Sequence, residues 1–154
     1  MSNTPTPHRR VITRKVVDWA AWDWGSAAFN AVATTFVFTT YLTSDGVFTD
    51  KGTAATWLSN GMTIAGLFIA LLAPITGQRA DRRGRGGVWL GWFTGAVVLC
   101  MLAMYFVHPE SVLGPKGALM LGIALLGLGN VFFEFASVNY NAMLNHLGEK
   151  EDRG

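Results

Sequence analysis

Two carboxylates stand inside long apolar runs, where an ionised group is expensive. Asp23 lies in WDWGSAAFNAVATTFVFTTYLTS and Glu134 in GNVFFEFASVNYNAMLN. At 100° per residue, Asp23, Asn30, Thr34 and Tyr41 fall within about 20° of one line on a helix. By the same arithmetic Gly127, Asn130, Glu134, Asn141 and Asn145 fall within about 40° of one line. A carboxyl group withdrawn from water, or set beside a second one, holds its proton to higher pH. The chemistry open to such residues is proton binding and release near neutrality, or recognition of a polar solute.

A third cluster has the opposite charge. Residues 77–87 read GQRADRRGRGG, with four arginines and one aspartate in a glycine-rich stretch between apolar runs. Such a stretch suits either a flexible basic loop that meets RNA or a short turn between membrane spans, and the flanks decide between them. RNA-binding arginine-glycine segments are typically longer and free at both ends. This one is pinned between apolar runs, so no nucleic-acid partner is expected.

The elements that position these residues follow from hydropathy. Of 154 residues, 51% are hydrophobic and 14% charged, against roughly a quarter charged in an ordinary globular domain. A spanning helix needs about 20 mostly apolar residues, and four stretches qualify, at about 16–42, 53–75, 88–107 and 118–144. The expected fold is therefore an all-α membrane protein with four transmembrane helices. It has a cytoplasmic tail over 1–15, a four-span region over 16–147, and the start of a cytoplasmic segment over 148–154. The basic head is not read as a cleaved signal, because the run after it is too long and carries Asp18 and Asp23.

Lysine and arginine set the orientation. Arg9, Arg10, Arg14, Lys15, Arg79, Arg82, Arg83, Arg85, Lys150 and Arg153 fall on one side, and only Lys51 and Lys116 on the other. Both ends are expected in the cytoplasm, in a bacterial inner membrane. At 1.5 Å per residue Asp23 then lies about 10 Å and Glu134 about 15 Å from the cytoplasmic ends of their spans. A carboxylate at such depth, costing about 2.5–3.5 kcal/mol, faces a protein interior or a water-filled cavity.

Other features read as structure. Gly87, Gly91 and Gly95 recur at four-residue spacing on the third run, the spacing of a helix-contact face in lipid. Trp19 and Trp22 read as interfacial anchors and Cys100 as an inert packing residue. A single cysteine excludes a disulfide framework, and no two histidines have metal-ligand spacing. With no G-x-S-x-G, P-loop or cysteine–histidine arrangement, the chain is not expected to be an enzyme or to need a cofactor.

The loop GQRADRRGRGG resembles the signature loop between spans two and three of major facilitator superfamily transporters. That pattern is a glycine, three variable residues, Asp-Arg, one variable residue, Gly-Arg, then a basic residue. Gly77, Asp81, Arg82, Gly84 and Arg85 match in register, while Gly86 stands where the basic residue is usual. WDWGSAAFNAVATTFVFTTYLTS and NYNAMLNHL are similar to the first and fourth spans of the branch that includes the autophagy-related vacuolar amino-acid effluxers. Asp23, Trp24, Phe29 and Phe36 match there; Trp22, Ser26 and Asn145 depart from it.

The resemblance covers nearly the whole chain but only about four of the family's twelve spans, so it implies an amino-terminal portion. It also implies alternating-access transport of small solutes, amino acids or related metabolites among them, with protons and the transporter's remaining helices as partners. In that family spans one and four line the cavity and the third is peripheral. Asp23, Asn30, Thr34, Asn130, Glu134 and Asn141 would then serve substrate or protons. Asp81 and its arginines would form a cytoplasmic gate, with Glu149, Glu151 and Asp152 as one partner set. The rival readings are a complete four-span dimeric proton-coupled exporter and a non-transporting membrane scaffold.

Overall fold

The computed structural model describes residues 14–82 and 84–151; within them, nothing is stated of the side chains of 15, 16, 33, 35, 80, 81 and 145–151. The described chain is helical apart from its turns. It contains α1 (Arg14–Ala28), a π-helical stretch (Phe29–Phe36), α2 (Phe38–Leu42), α3 (Lys51–Arg82), α4 (Gly86–Ala103) with a 3-10 turn (Met104–Phe106), and α5 (Gly114–Glu151). Three helices are long and apolar enough to cross a membrane: Lys51–Arg79, Gly86–Phe106 and Gly114–Leu144. The first apolar run is instead divided into three helical pieces.

That division is a correction to the sequence reading, and its cause is local. The Val37 amide bonds the Val32 carbonyl at 3.0 Å, five residues back, and the Thr39 hydroxyl takes the Thr34 carbonyl at 2.6 Å. A hydroxyl that bonds a backbone carbonyl competes with the helical ladder. The β-branched Val32, Thr34 and Val37 add crowding in the same stretch. The 100° projection that aligned Asp23, Asn30, Thr34 and Tyr41 therefore does not carry across residues 29–36, because a π-helix turns less per residue.

Side-chain contacts fix the relative directions of the elements. Trp19 lies beside Tyr140 and Phe29 beside Phe133, and Gly122 abuts Leu42. The first segment thus runs antiparallel to α5. Gly61 meets Ile123 and Gly77 meets Val138, so α3 runs parallel to α5. Gly86 near Met143 and Gly129 near Cys100 make α4 antiparallel to it. The four segments alternate in direction, and Arg14 and the α3–α4 turn share an end with the carboxyl end of α5.

The helix α5 is the hub. Half of its apolar window is buried, against 17% for α3 and 11% for α4. One core joins Leu42, Phe48, Leu58, Val107, Leu119, Ile123 and Leu126; a second, nearer the arginine turn, joins Phe29, Val97 and Phe133. Outward faces are apolar as well, with Ile64, Leu67, Phe68 and Leu71 of α3 and Trp92, Leu99 and Leu102 of α4 all more than half exposed. In water each such side chain would forgo about 1.5–3 kcal/mol of burial. In hydrocarbon it forgoes nothing, and the three long helices identify an integral membrane protein.

The closest helix contact also differs from expectation. Gly91 and Gly95 of α4 have nothing within 4 Å of where a side chain would start, and Gly87 meets only Met143, at 3.9 Å. The small-residue contact is made by α3 and α5: Gly61 abuts Ile123, and Ala65 lies 3.6 Å from a Cβ placed on Gly127. Spacing alone marks glycines able to form a contact, whereas the partner face, here rich in small residues on α5, decides which of them do.

Candidate functional site

The site candidates fall into two groups, those on the first segment and α5, and those in the turn between α3 and α4. On the first segment Asp23 is exposed on α1, and its backbone carbonyl accepts a bond from the Ser26 hydroxyl at 2.8 Å. Asn30 is exposed within the π-helical stretch. Thr34 is half-buried, and its hydroxyl oxygen is enclosed with no hydrogen-bond partner among the described residues. Tyr41, the last of the projected line, is used structurally, because its hydroxyl donates to the Val107 carbonyl at 3.1 Å.

On α5, Asn130 is half-buried with its amide nitrogen 3.9 Å from the Met62 sulfur, a weak contact. Glu134 is half-buried, and among the described residues no hydrogen bond or ion pair reaches its carboxylate. Asn141 is exposed. Asn145, the last of that projected line, lies outside the described side chains. No bond among the described residues joins Asp23 to Glu134.

Aromatic rings join the first segment to α5. Trp22 stacks on Tyr140 with centroids 4.2 Å apart and lies parallel to Phe133 at 6.3 Å. Trp19 also stacks on Tyr140, at 6.4 Å, and Phe29 packs against Phe133 at 5.2 Å. The Tyr140 hydroxyl donates to the Trp19 carbonyl at 3.4 Å. Trp22 also reaches Thr94 of α4 with a long 3.5 Å bond from its indole nitrogen. Reading Trp19 and Trp22 as lipid-interface anchors missed this: Trp22 is half-buried between helices. The i, i+3 spacing of the two tryptophans and the presence of Tyr140 were the only signals in the sequence.

Asn139 is a second residue that the sequence reading passed over. It is 1% exposed; its amide nitrogen donates to the Phe135 carbonyl at 2.8 Å, and its carbonyl oxygen has no partner among the described residues. A buried amide with one unmet acceptor is a costly arrangement. It falls off the projected line of Asn130 and Glu134, on the face that α5 turns into its neighbours.

In the turn, sequence and geometry meet at two glycines. Gly77 is half-buried in α3, and a Cβ there would lie 2.8 Å from a methyl of Val138. Gly84 has φ +60°, a left-handed conformation that lets the chain reverse between Arg82 and Gly86. Arg82 and Arg85 are exposed. Asp81 lies in α3, but its side chain, like those of Glu149 and Glu151 and the whole of Asp152, is outside the described set. The expected gate pairing therefore falls outside the described residues.

No protein-family profile, curated protein or solved structure matches this chain.

Proposed function

We propose that the chain is the amino-terminal part of a secondary transporter that moves small solutes by alternating access. The first segment serves as its fourth crossing element, with both ends cytoplasmic. The observation that carries this reading is the interrupted first segment, which bears Asp23, Asn30 and Thr34 and packs through Trp22 and Phe29 on α5, the helix that bears Asn130 and Glu134. Interrupted helices with polar groups at membrane depth are how transporters build midplane sites. Irregular helix and ionisable groups are tolerated at that depth only where they line protein or water. In this reading Asp23 and Glu134 bind substrate or protons, Asn30, Thr34, Asn130 and Asn141 supply further polar contacts, and Gly77, Asp81, Arg82, Gly84 and Arg85 form the cytoplasmic gate. Amino acids and related metabolites are the substrates that the resemblance of the first and fourth spans suggests.

The open glycine face of α4 favours a second reading, a four-span exporter working as a dimer across Gly91 and Gly95. One experiment addresses both. Glu134→Gln and Asp23→Asn keep shape and hydrogen bonding but cannot titrate. In the full protein, uptake is measured against pH for each variant, with Gly91→Leu as a third variant. Loss of the pH response with substrate binding retained supports coupling through these carboxylates. Loss with Gly91→Leu alone transfers the case to the dimer. Normal expression with an unchanged pH profile in both carboxylate variants would make Asp23 and Glu134 structural.

A further inference from the structure

At the start of α4, Arg85, Val88, Trp89 and Trp92 line a surface notch of about 230 Å³. Their spacing puts all four on one helix face, and from Arg85 to Trp92 the notch runs about 10 Å along the axis. Its wall is held from behind. Trp89 packs on Phe93 at 5.8 Å, and Phe93 meets Phe135 of α5 edge-on at 5.5 Å. Its mouth is open, since Arg85 is exposed and Trp92 is 73% exposed. The Arg85 side chain makes no capping bond at the helix start, and among the described side chains no carboxylate pairs with it. Arg79 and Arg82, both exposed at the end of α3, add to the positive field beside it.

We propose that this notch binds the headgroup of an anionic phospholipid. A guanidinium grips a phosphate through paired hydrogen bonds, which assigns the phosphodiester to Arg85. The indoles of Trp89 and Trp92 belong at the ester level, where tryptophan concentrates in membrane proteins, and Val88 forms the apolar wall between them and Arg85. Dimensions agree. The interfacial zone adds about 5–8 Å per leaflet to the hydrocarbon core, and the notch crosses that zone from its charged to its apolar end. Its volume is below the roughly 300–1,000 Å³ of a pocket for a drug-sized ligand, enough for a headgroup and not for a whole lipid. A free phosphate would use the arginine and leave three apolar walls unexplained. The inference rests on α4 lying in a bilayer and is independent of whether the protein moves a solute.

The test uses the protein purified in an uncharged detergent and titrated with phosphatidylglycerol or phosphatidylcholine, with retained lipid counted by native mass spectrometry. Phosphatidylglycerol is expected to be retained in preference. Arg85→Gln should weaken its retention about fivefold, the factor expected for one basic residue at an anionic surface. Trp92→Leu should weaken retention of both lipids. Arg79→Gln removes the same charge outside the notch and should weaken retention clearly less than Arg85→Gln does. Equal losses from Arg79→Gln and Arg85→Gln would reduce the site to diffuse electrostatics and overturn the proposal. Full displacement of the lipid by millimolar inorganic phosphate would overturn it too, by assigning a free-anion site. If Arg85→Gln does not purify as a helical protein, Trp92→Leu compared with Arg79→Gln carries the same decision.

Discussion

Gly61→Ala adds one methyl group to α3 at its tightest approach to α5. The new carbon would overlap the Cγ2 methyl of Ile123, with the Ile123 Cβ behind it at 3.9 Å. Ile123 is 7% exposed and belongs to the larger core. Being β-branched, it is held to one strongly preferred χ1 in a helix, so it cannot swing aside cheaply. Either the side chain leaves its rotamer or the helices part, and overpacking of this kind costs about 1–3 kcal/mol. Alanine regains about 0.5–1 kcal/mol of helix propensity, so the net loss should lie at about 0–2.5 kcal/mol. Gly91→Ala on α4 has the same propensity gain and nothing within 4 Å to meet. It should be neutral or stabilising by up to about 1 kcal/mol. The two variants are compared by equilibrium unfolding in mixed micelles, following helicity. Adding Ile123→Ala to Gly61→Ala should cost less than the two single changes together, because the truncation removes the methyl that clashes. If Gly61→Ala proves as stable as Gly91→Ala, the α3–α5 contact is not as tight as described and the reasoning fails.

Two further outcomes are expected. Asp50 caps α3, its carboxylate accepting the Thr53 amide at 2.8 Å, and that bond holds its pKa below the ordinary value of 3.8. The cap's contribution is thus present above the unfolded pKa of about 3.9 and is lost as pH falls through the lower folded value. The Thr53 amide shift should titrate with a midpoint below 3.8 and stay flat in Asp50→Asn; a midpoint above 3.8 would contradict the assignment. For orientation, reporters fused near Arg83 and after Leu147 should signal from the cytoplasm, and those near Asp45 and Glu110 from outside. An external signal at Arg83 would remove both the topology and the gate.

Much of the architecture could be read from the chain because lipid imposes a simple rule. Apolar runs long enough to span must be helices with their backbone groups satisfied internally. The runs at 53–75, 88–107 and 118–144 became α3, α4 and α5; α3 and α5 extend past both ends of their runs, and α4 passes into a 3-10 turn after Ala103. The turn glycine Gly84 was legible too, since a reversal so short calls for a residue tolerant of positive φ.

What required the tertiary structure was everything set by a partner. Hydropathy cannot distinguish an α- from a π-turn, so the break at Phe29–Phe36, marked by the long-step bonds at Val37 and Thr39, was hidden. Spacing marked Gly87, Gly91 and Gly95 as a contact face, while the small-residue contact within this chain is made by Gly61, Ala65 and Gly127, because close approach needs two complementary surfaces. Trp22 looked like a membrane anchor until Tyr140, more than a hundred residues away in sequence, was found stacked on it. The sequence by itself determined which segments prefer lipid and where charge collects. Only the folded chain decided which of those residues touch, because contact is a property of pairs of faces and no single helix contains it.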